Sequence, residues 1–159
     1  MGTVARILHQ SKPFPSAAVE VCLGIRILAA RLVAPWERHL KAAAGLTEPQ
    51  FNVLRILRGS HPDAVPCRVI AERLIDRDPD VTRLLDRLET RRLIRRERSR
   101  ADRRVVAVSI TAAGLALLAK LDAEADRMPA ALLGHLGAAR LRELKGLVEA
   151  ALDGLENPS

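Results

Sequence analysis

The stretch from Val81 to Thr111 constrains this chain more than any other, because its hydrophobic period changes partway along. Val81, Leu84, Leu85 and Leu88 recur at i, i+3, i+4 and i+7, the stripe of a helix buried on one side. That stripe leaves Asp80, Arg83, Arg87 and Arg91 toward the other side. Leu93-Ile94 then begins an extended segment and Val105–Ile110 forms a second, joined by a polar link too charged to enter a core. A short amphipathic helix is thus followed at once by a basic two-stranded hairpin.

Helices are expected on both sides of this unit. Ser16 caps a long one to about Ala43, with Val19, Leu23, Ile27 and Ala30 inward, and Pro35 should kink or divide it. Cys22 lies among those apolar positions, where a thiol is buried and inert. After Gly45, Thr47 caps a second helix with Glu48 and Pro49 in its first turn and Phe51, Leu54 and Leu57 facing in. Val65-Pro66 opens a short third helix to about Leu74, with Val69, Ile70 and Leu74 inward. Asp78-Pro79 signals the start of the fourth, the one carrying Arg83. Thr111 caps a fifth helix, expected to stop near Met128 before Pro129, and a leucine-rich helical region ends near Asp153-Gly154.

The expected fold is mainly α with a small β-hairpin: a winged helix-turn-helix with N- and C-terminal dimerisation helices. Residues 1–15, holding Gly2, Pro13 and Pro15, form a mobile arm or irregular lead-in; residues 46–111 form the winged module; residues 16–45 and 112–155 form the helical dimerisation region. The outer helices carry more apolar surface than a small module buries alone, so a homodimer is expected.

The net charge of +7 is unevenly placed. Residues 66–104 hold 13 arginines against 8 acidic groups, whereas residues 115–156 hold 5 basic and 7 acidic groups. Positive charge therefore concentrates on the helix and hairpin, where it attracts a polyanion. The helix is the size that enters a major groove of double-stranded DNA, with Pro79, Asp80, Thr82 and Arg83 approaching base edges. Arg83 is suited to donating two hydrogen bonds to a guanine edge, and Arg87 to clamping a phosphate. Arg68, in the opening turn of the preceding helix, is expected on the DNA backbone. The hairpin holds Arg95, Arg96, Arg98, Arg100, Arg103 and Arg104; Arg103 is placed in the minor groove, and Asp102 orients a neighbouring arginine or holds the turn.

Little suggests catalysis. Cys22 and Cys67 are too few and too far apart for a disulfide scaffold, and His9, His39, His61 and His135 are scattered, so no metal or cofactor is expected. No phosphate-cradling glycine loop or nucleophile motif is present, and an enzyme is the least favoured class. Arg26 and Arg31 interrupt the apolar run around residues 19–33, which argues against a membrane span and for a cytoplasmic protein.

With these pieces in place, the chain resembles the MarR family of bacterial and archaeal transcription regulators. The matching segments are Leu46-Thr47-Glu48-Pro49-Gln50-Phe51, Val81 through Glu89, Asp102-Arg103-Arg104 and Thr111-Ala112-Ala113-Gly114. The resemblance implies a two-fold dimer presenting two winged modules to a pseudo-palindromic operator. It also implies a repressor relieved by a small phenolic or other aromatic acid or by cysteine oxidation, although activators are similar in sequence. One position departs: where the family commonly has glycine after the reading helix, this chain has Arg92. Arginine is costly in a left-handed turn, so another turn geometry or an added phosphate contact is an alternative there.

Trp36, His39, Phe51 and Arg55 are candidate walls of an effector pocket because their segments should converge. Cys67, near a helix start and beside Arg68, is a candidate redox residue in a setting that favours thiolate. The leading expectation is a ligand-responsive, sequence-specific repressor. A constitutive architectural DNA-binding protein and a protein-interaction scaffold are the alternatives.

Overall fold

A computed structural model describes residues 2–75, 80–98 and 105–157. Residues 8–15 carry no helix or strand, as expected of an irregular lead-in, but the residues before them do not fit it. They hold a short helix, α1 (Thr3–Ile7), with Ala5 buried and Val4 close against Gly24 of the next helix. Helix α2 (Ala17–Ala44) starts where expected, the Ser16 hydroxyl oxygen accepting the Val19 N–H at 3.3 Å. Pro35 lies inside α2 without dividing it, and Gly45 ends it in a left-handed conformation at φ 59°. Only Leu40 of α2 is buried; Val19 and Cys22, expected on the inward face, are exposed.

Helix α3 (Glu48–Ser60) follows from Thr47, whose N–H donates to Gln50 Oε1 at 3.0 Å. That bond satisfies an otherwise open end of the helix and lets Gln50 be buried. Phe51, Leu54 and Leu57 face the core as expected. Val65-Pro66, expected to open a helix, instead forms a two-residue strand β1 (Val65–Pro66), and α4 (Cys67–Arg73) starts one residue later. Proline is tolerated there because β1 is an edge strand.

Helix α5 (Val81–Thr90) is capped by Asp80, whose Oδ1 accepts the Arg83 N–H at 3.1 Å. The start expected at Asp78-Pro79 is thereby moved to Asp80; Asp78 and Pro79 themselves lie outside the described residues. Leu85 and Leu88 are buried, Val81 and Leu84 half-buried. Strands β2 (Ile94–Arg98) and β3 (Val106–Ile110) pair antiparallel in register Ile94↔Ile110 to Arg98↔Val106. With Val65↔Val108 the sheet has three strands in the order β1-β3-β2, one more than the expected hairpin.

Helix α6 (Ala112–Leu133) begins after Thr111, whose hydroxyl accepts the Gly114 N–H at 3.1 Å and donates to the Arg92 carbonyl at 2.8 Å. A side chain at Gly114 would put its Cβ 2.4 Å from the Leu93 carbonyl oxygen, so the close approach of α6 to β2 needs a glycine. The helix does not stop at Met128 but runs through Pro129. A single 3-10 turn (Gly134–Leu136) leads to α7 (Gly137–Glu156).

Two compact units result, Met1–Leu121 and Asp122–Ser159. The first contains every buried core residue, including Leu40, Leu46, Val53, Leu54, Ile70, Leu85, Leu88, Val108 and Leu118. In the second, α7 has no buried residue, and Leu147, Val148, Leu152 and Leu155 are exposed.

Candidate nucleic-acid interface

The outward face of α5 is built by its own amphipathicity. Burial of Leu85 and Leu88 turns Thr82, Arg83, Asp86 and Arg87 to solvent. Asp80 does not point freely outward, because its carboxylate holds the first turn of the helix closed. Among the described residues the guanidinium groups of Arg83 and Arg87 have no ion-pair partner. Charged groups left uncommitted on an exposed helix are available to an anionic partner. Arg68 stands on α4, highly exposed, with its Nε 2.8 Å from Glu72 Oε1. An exposed i, i+4 pair of this kind is weak and readily exchanged for phosphate.

At the base of the hairpin the arginines divide. Arg95 pairs with Glu97 at 3.0 Å on the exposed side, and Arg98 is exposed at the end of β2. Arg96 turns the other way. Its guanidinium reaches Asp86 Oδ1 at 2.7 Å and Glu89 Oε2 at 2.6 Å, while its backbone N–H donates to Glu89 Oε1 at 3.0 Å. The hydrogen bond from Arg96 holds the Glu89 carboxyl below its usual range, and the two carboxylates together raise the Arg96 guanidinium. This network ties the stem of the hairpin to α5. Its signal was in the sequence: strand alternation puts Arg96 on the same side as buried Ile94. Arg100, Asp102, Arg103 and Arg104 lie outside the described residues.

Arg91, expected on the free face, is committed too. Its Nη2 and Nη1 donate to the carbonyls of Ala44 and Gly45 at 2.7 and 3.0 Å, capping the end of α2. Arg92 resolves its alternatives by taking the left-handed geometry after all, at φ 57°. Arg92 N–H donates to Glu89 O and Leu93 N–H to Leu88 O, at 2.7 and 3.0 Å, the paired bonds of a Schellman helix ending. The closure is the one a glycine would make, with the strain of a side chain added.

Trp36, His39, Phe51 and Arg55 do converge. The Trp36 ring stacks on His39 at 5.5 Å and meets Phe51 edge-on at 5.0 Å, and the Arg55 guanidinium lies 5.9 Å from the Phe51 centroid. Phe51 is buried, Trp36 and His39 half-buried, and Arg55 exposed. Cys67 behaves against expectation: burial pushes its thiol up, outweighing the nearby positive charge of Arg96. Its position therefore disfavours thiolate. It lines a surface cleft with Arg68, Val69, Thr82, Leu85 and Val106.

The sequence profile of the MarR family matches residues 44–105, the segment that holds α3 through β2. A MarR transcription factor from Planctomyces limnophilus superposes with a TM-score of 0.65 at 38% identity, covering 87% of this chain and 99% of that one. The chain belongs to the MarR family. As such it is a DNA-binding transcription regulator rather than an enzyme. Another similarity, at 28% identity and TM-score 0.70, is to BpsR of Bordetella bronchiseptica, covering 83% of this chain and 98% of that one. MepR of S. aureus, solved with DNA, shares the fold at TM-score 0.76 and 22% identity, covering 89% of this chain and 99% of that one. Comparison with curated protein sequences gives no match. No helix among the described residues is long and apolar enough to cross a membrane.

Proposed function

We propose that this MarR-family protein is a homodimeric, sequence-specific repressor of double-stranded DNA, released by a small aromatic acid. The observation that carries the reading is the exposed row Thr82, Arg83 and Arg87 on a helix whose opposite face is buried. Arg83 reads a guanine edge in the major groove beside Thr82, with Pro79 and Asp80 at the entering end. Arg87 and Arg68 clamp phosphates. Arg98, Arg100, Arg103 and Arg104 form the cationic wing, with Arg103 in the minor groove and Asp102 holding an arginine in place.

In this reading residues 46–111 are the reading module, and residues 16–45 and 112–155 supply the dimer. Exposed Val21, Ile25 and Leu28 on α2, and Leu147, Val148, Leu152 and Leu155 on α7, are apolar surface that a second copy would take from water. Two modules related by a two-fold axis then read a pseudo-palindromic operator. Trp36, His39, Phe51 and Arg55 form the effector wall, aromatic faces for a ring beside a cation for a carboxylate. BpsR, whose DNA binding is regulated by 6-hydroxynicotinic acid, supplies the precedent for that ligand class. Cys67 remains a candidate oxidation site only in a conformation that uncovers its thiol.

Selection of duplexes from a random pool tests the reading. A regulator enriches a two-half-site sequence, and Arg83→Ala lowers affinity for it by about 1–3 kcal/mol while relaxing one base position. Equal binding to enriched and scrambled duplex at physiological salt would leave only an architectural role.

A further inference from the structure

Arg91 does none of the work assigned to its neighbours Arg83 and Arg87, and its bonds run the opposite way. The residue is the C-cap of α5, and its backbone is held by the Arg87 carbonyl and by the helix ending at Arg92 and Leu93. Its guanidinium leaves α5 altogether and closes the last turn of α2, where the Ala44 and Gly45 carbonyls have no helical N–H to accept from. Of the carbonyls in the preceding turn, Leu40 and Lys41 are taken by the N–H groups of Leu46 and Gly45. One planar cation making two bonds sets direction as well as distance, at a helix end where partial negative charge favours it.

What lies at the other end of that connection is the aromatic cluster. Trp36, Leu40 and Ala44 recur every four residues on α2 and so share one of its faces. Leu40 is wholly buried, and Trp36 is packed on His39 and Phe51. Trp36 and Ala44 lie on one unbroken helix, so a shift of Trp36 would carry with it the carbonyls that Arg91 holds.

We propose that Arg91 is the positioning residue that couples the reading helix to α2, so that displacement at the Trp36 cluster and displacement of α5 are transmitted to each other. This rests on the DNA-reading role of α5 proposed above. A phosphate contact by Arg91 would require its two carbonyl bonds to break, which sets it apart from Arg83 and Arg87.

The chain supplies its own probe, because Trp36 is the single tryptophan and tyrosine is absent. The full-length protein is titrated with the enriched duplex, following anisotropy of a labelled duplex for binding and Trp36 emission for coupling. In the wild type, emission changes in step with binding. Arg91→Gln is expected to bind about 5-fold more weakly, with an unchanged salt slope and most of the Trp36 response lost. Arg91→Lys, which keeps the charge but not the paired donors, restores part of the response. The coupling is overturned if Arg91→Gln keeps the full emission change, or if wild-type emission ignores bound duplex. It is also overturned if the salt slope falls by about one, the mark of a lost phosphate contact.

If the wild type binds no duplex, the DNA reading fails instead, and amide exchange without DNA decides the coupling. Trp36→Phe should then speed exchange along residues 81–90 in the wild-type background and add nothing once Arg91→Gln is present. Additive effects of the two substitutions would reject the link.

Discussion

Helices α3 and α7 teach different lessons from similar patterns. Both carry apolar residues at helical spacing. Yet α3 buries five of its thirteen residues, and α7 buries none of its twenty. Leu54 and Leu57 are buried on α3, which packs against α5 and β3 of the same chain, whereas Leu147, Leu152 and Leu155 stay exposed. Periodicity therefore promises that a face will be covered without saying which molecule covers it. The core of residues 1–121 draws on α1, α2 and α6 as well as on α3 to β3, while α7 contributes nothing buried to it.

That contrast breaks most easily at α7. Leu147→Glu combined with Leu152→Glu should cost the dimer roughly 3–6 kcal/mol, at about 1.5–3 kcal/mol for each leucine removed from an interface. Sedimentation should show monomers at concentrations where the wild type is dimeric, with the module's own sheet and helices still folded. An unchanged dimer would mean that α7 finds its cover elsewhere.

Inside the module the expected losses are smaller and fall on folding itself. Gly114→Ala forces a Cβ against the Leu93 carbonyl, a backbone atom that cannot swing aside. It should destabilise by about 1–3 kcal/mol in denaturant titration. The same change at exposed Gly146 of α7, where nothing lies within 4 Å, should be neutral or stabilising. Equal effects at the two sites would erase the contrast.

Arg92→Gly sharpens it with the opposite sign. Relief of the left-handed strain, offset by the freer unfolded chain, should raise thermal stability by about 1 kcal/mol. A loss instead would mean that the Arg92 side chain makes a contact worth more than its strain.

The smallest effect is electrostatic. Arg96 depresses the Glu89 carboxyl in the folded state, so the pair stabilises above the ordinary carboxylate range. That contribution falls away as pH drops through the lowered folded value. For a partly exposed pair it amounts to about 0–1 kcal/mol. Glu89→Gln should flatten the acid limb of module stability without altering that of α7.

The legible parts were those decided by local chemistry. Ser16, Thr47 and Thr111 name their helix starts because a side-chain oxygen or a partner at N3 completes an open turn. Leu54, Leu85 and Leu88 name the core by spacing alone. Pro129 misled: it removes one N–H, yet α6 continues through it, as α2 does through Pro35 without being divided. Val65-Pro66 pairs as a strand because β3 offers it a partner distant in sequence.

Sequence by itself determined the helix–helix–hairpin order and the family, because period, caps and charge are carried by residues near one another. Only tertiary structure decided which arginines are free. Among the described residues Arg83 and Arg87 have no ion-pair partner, while Arg91 bonds to α2 and Arg96 to α5, although all four read alike as basic residues. A guanidinium's role is set by the acceptor within its reach. For Arg91 that acceptor lies 47 residues away in the chain, beyond anything spacing records.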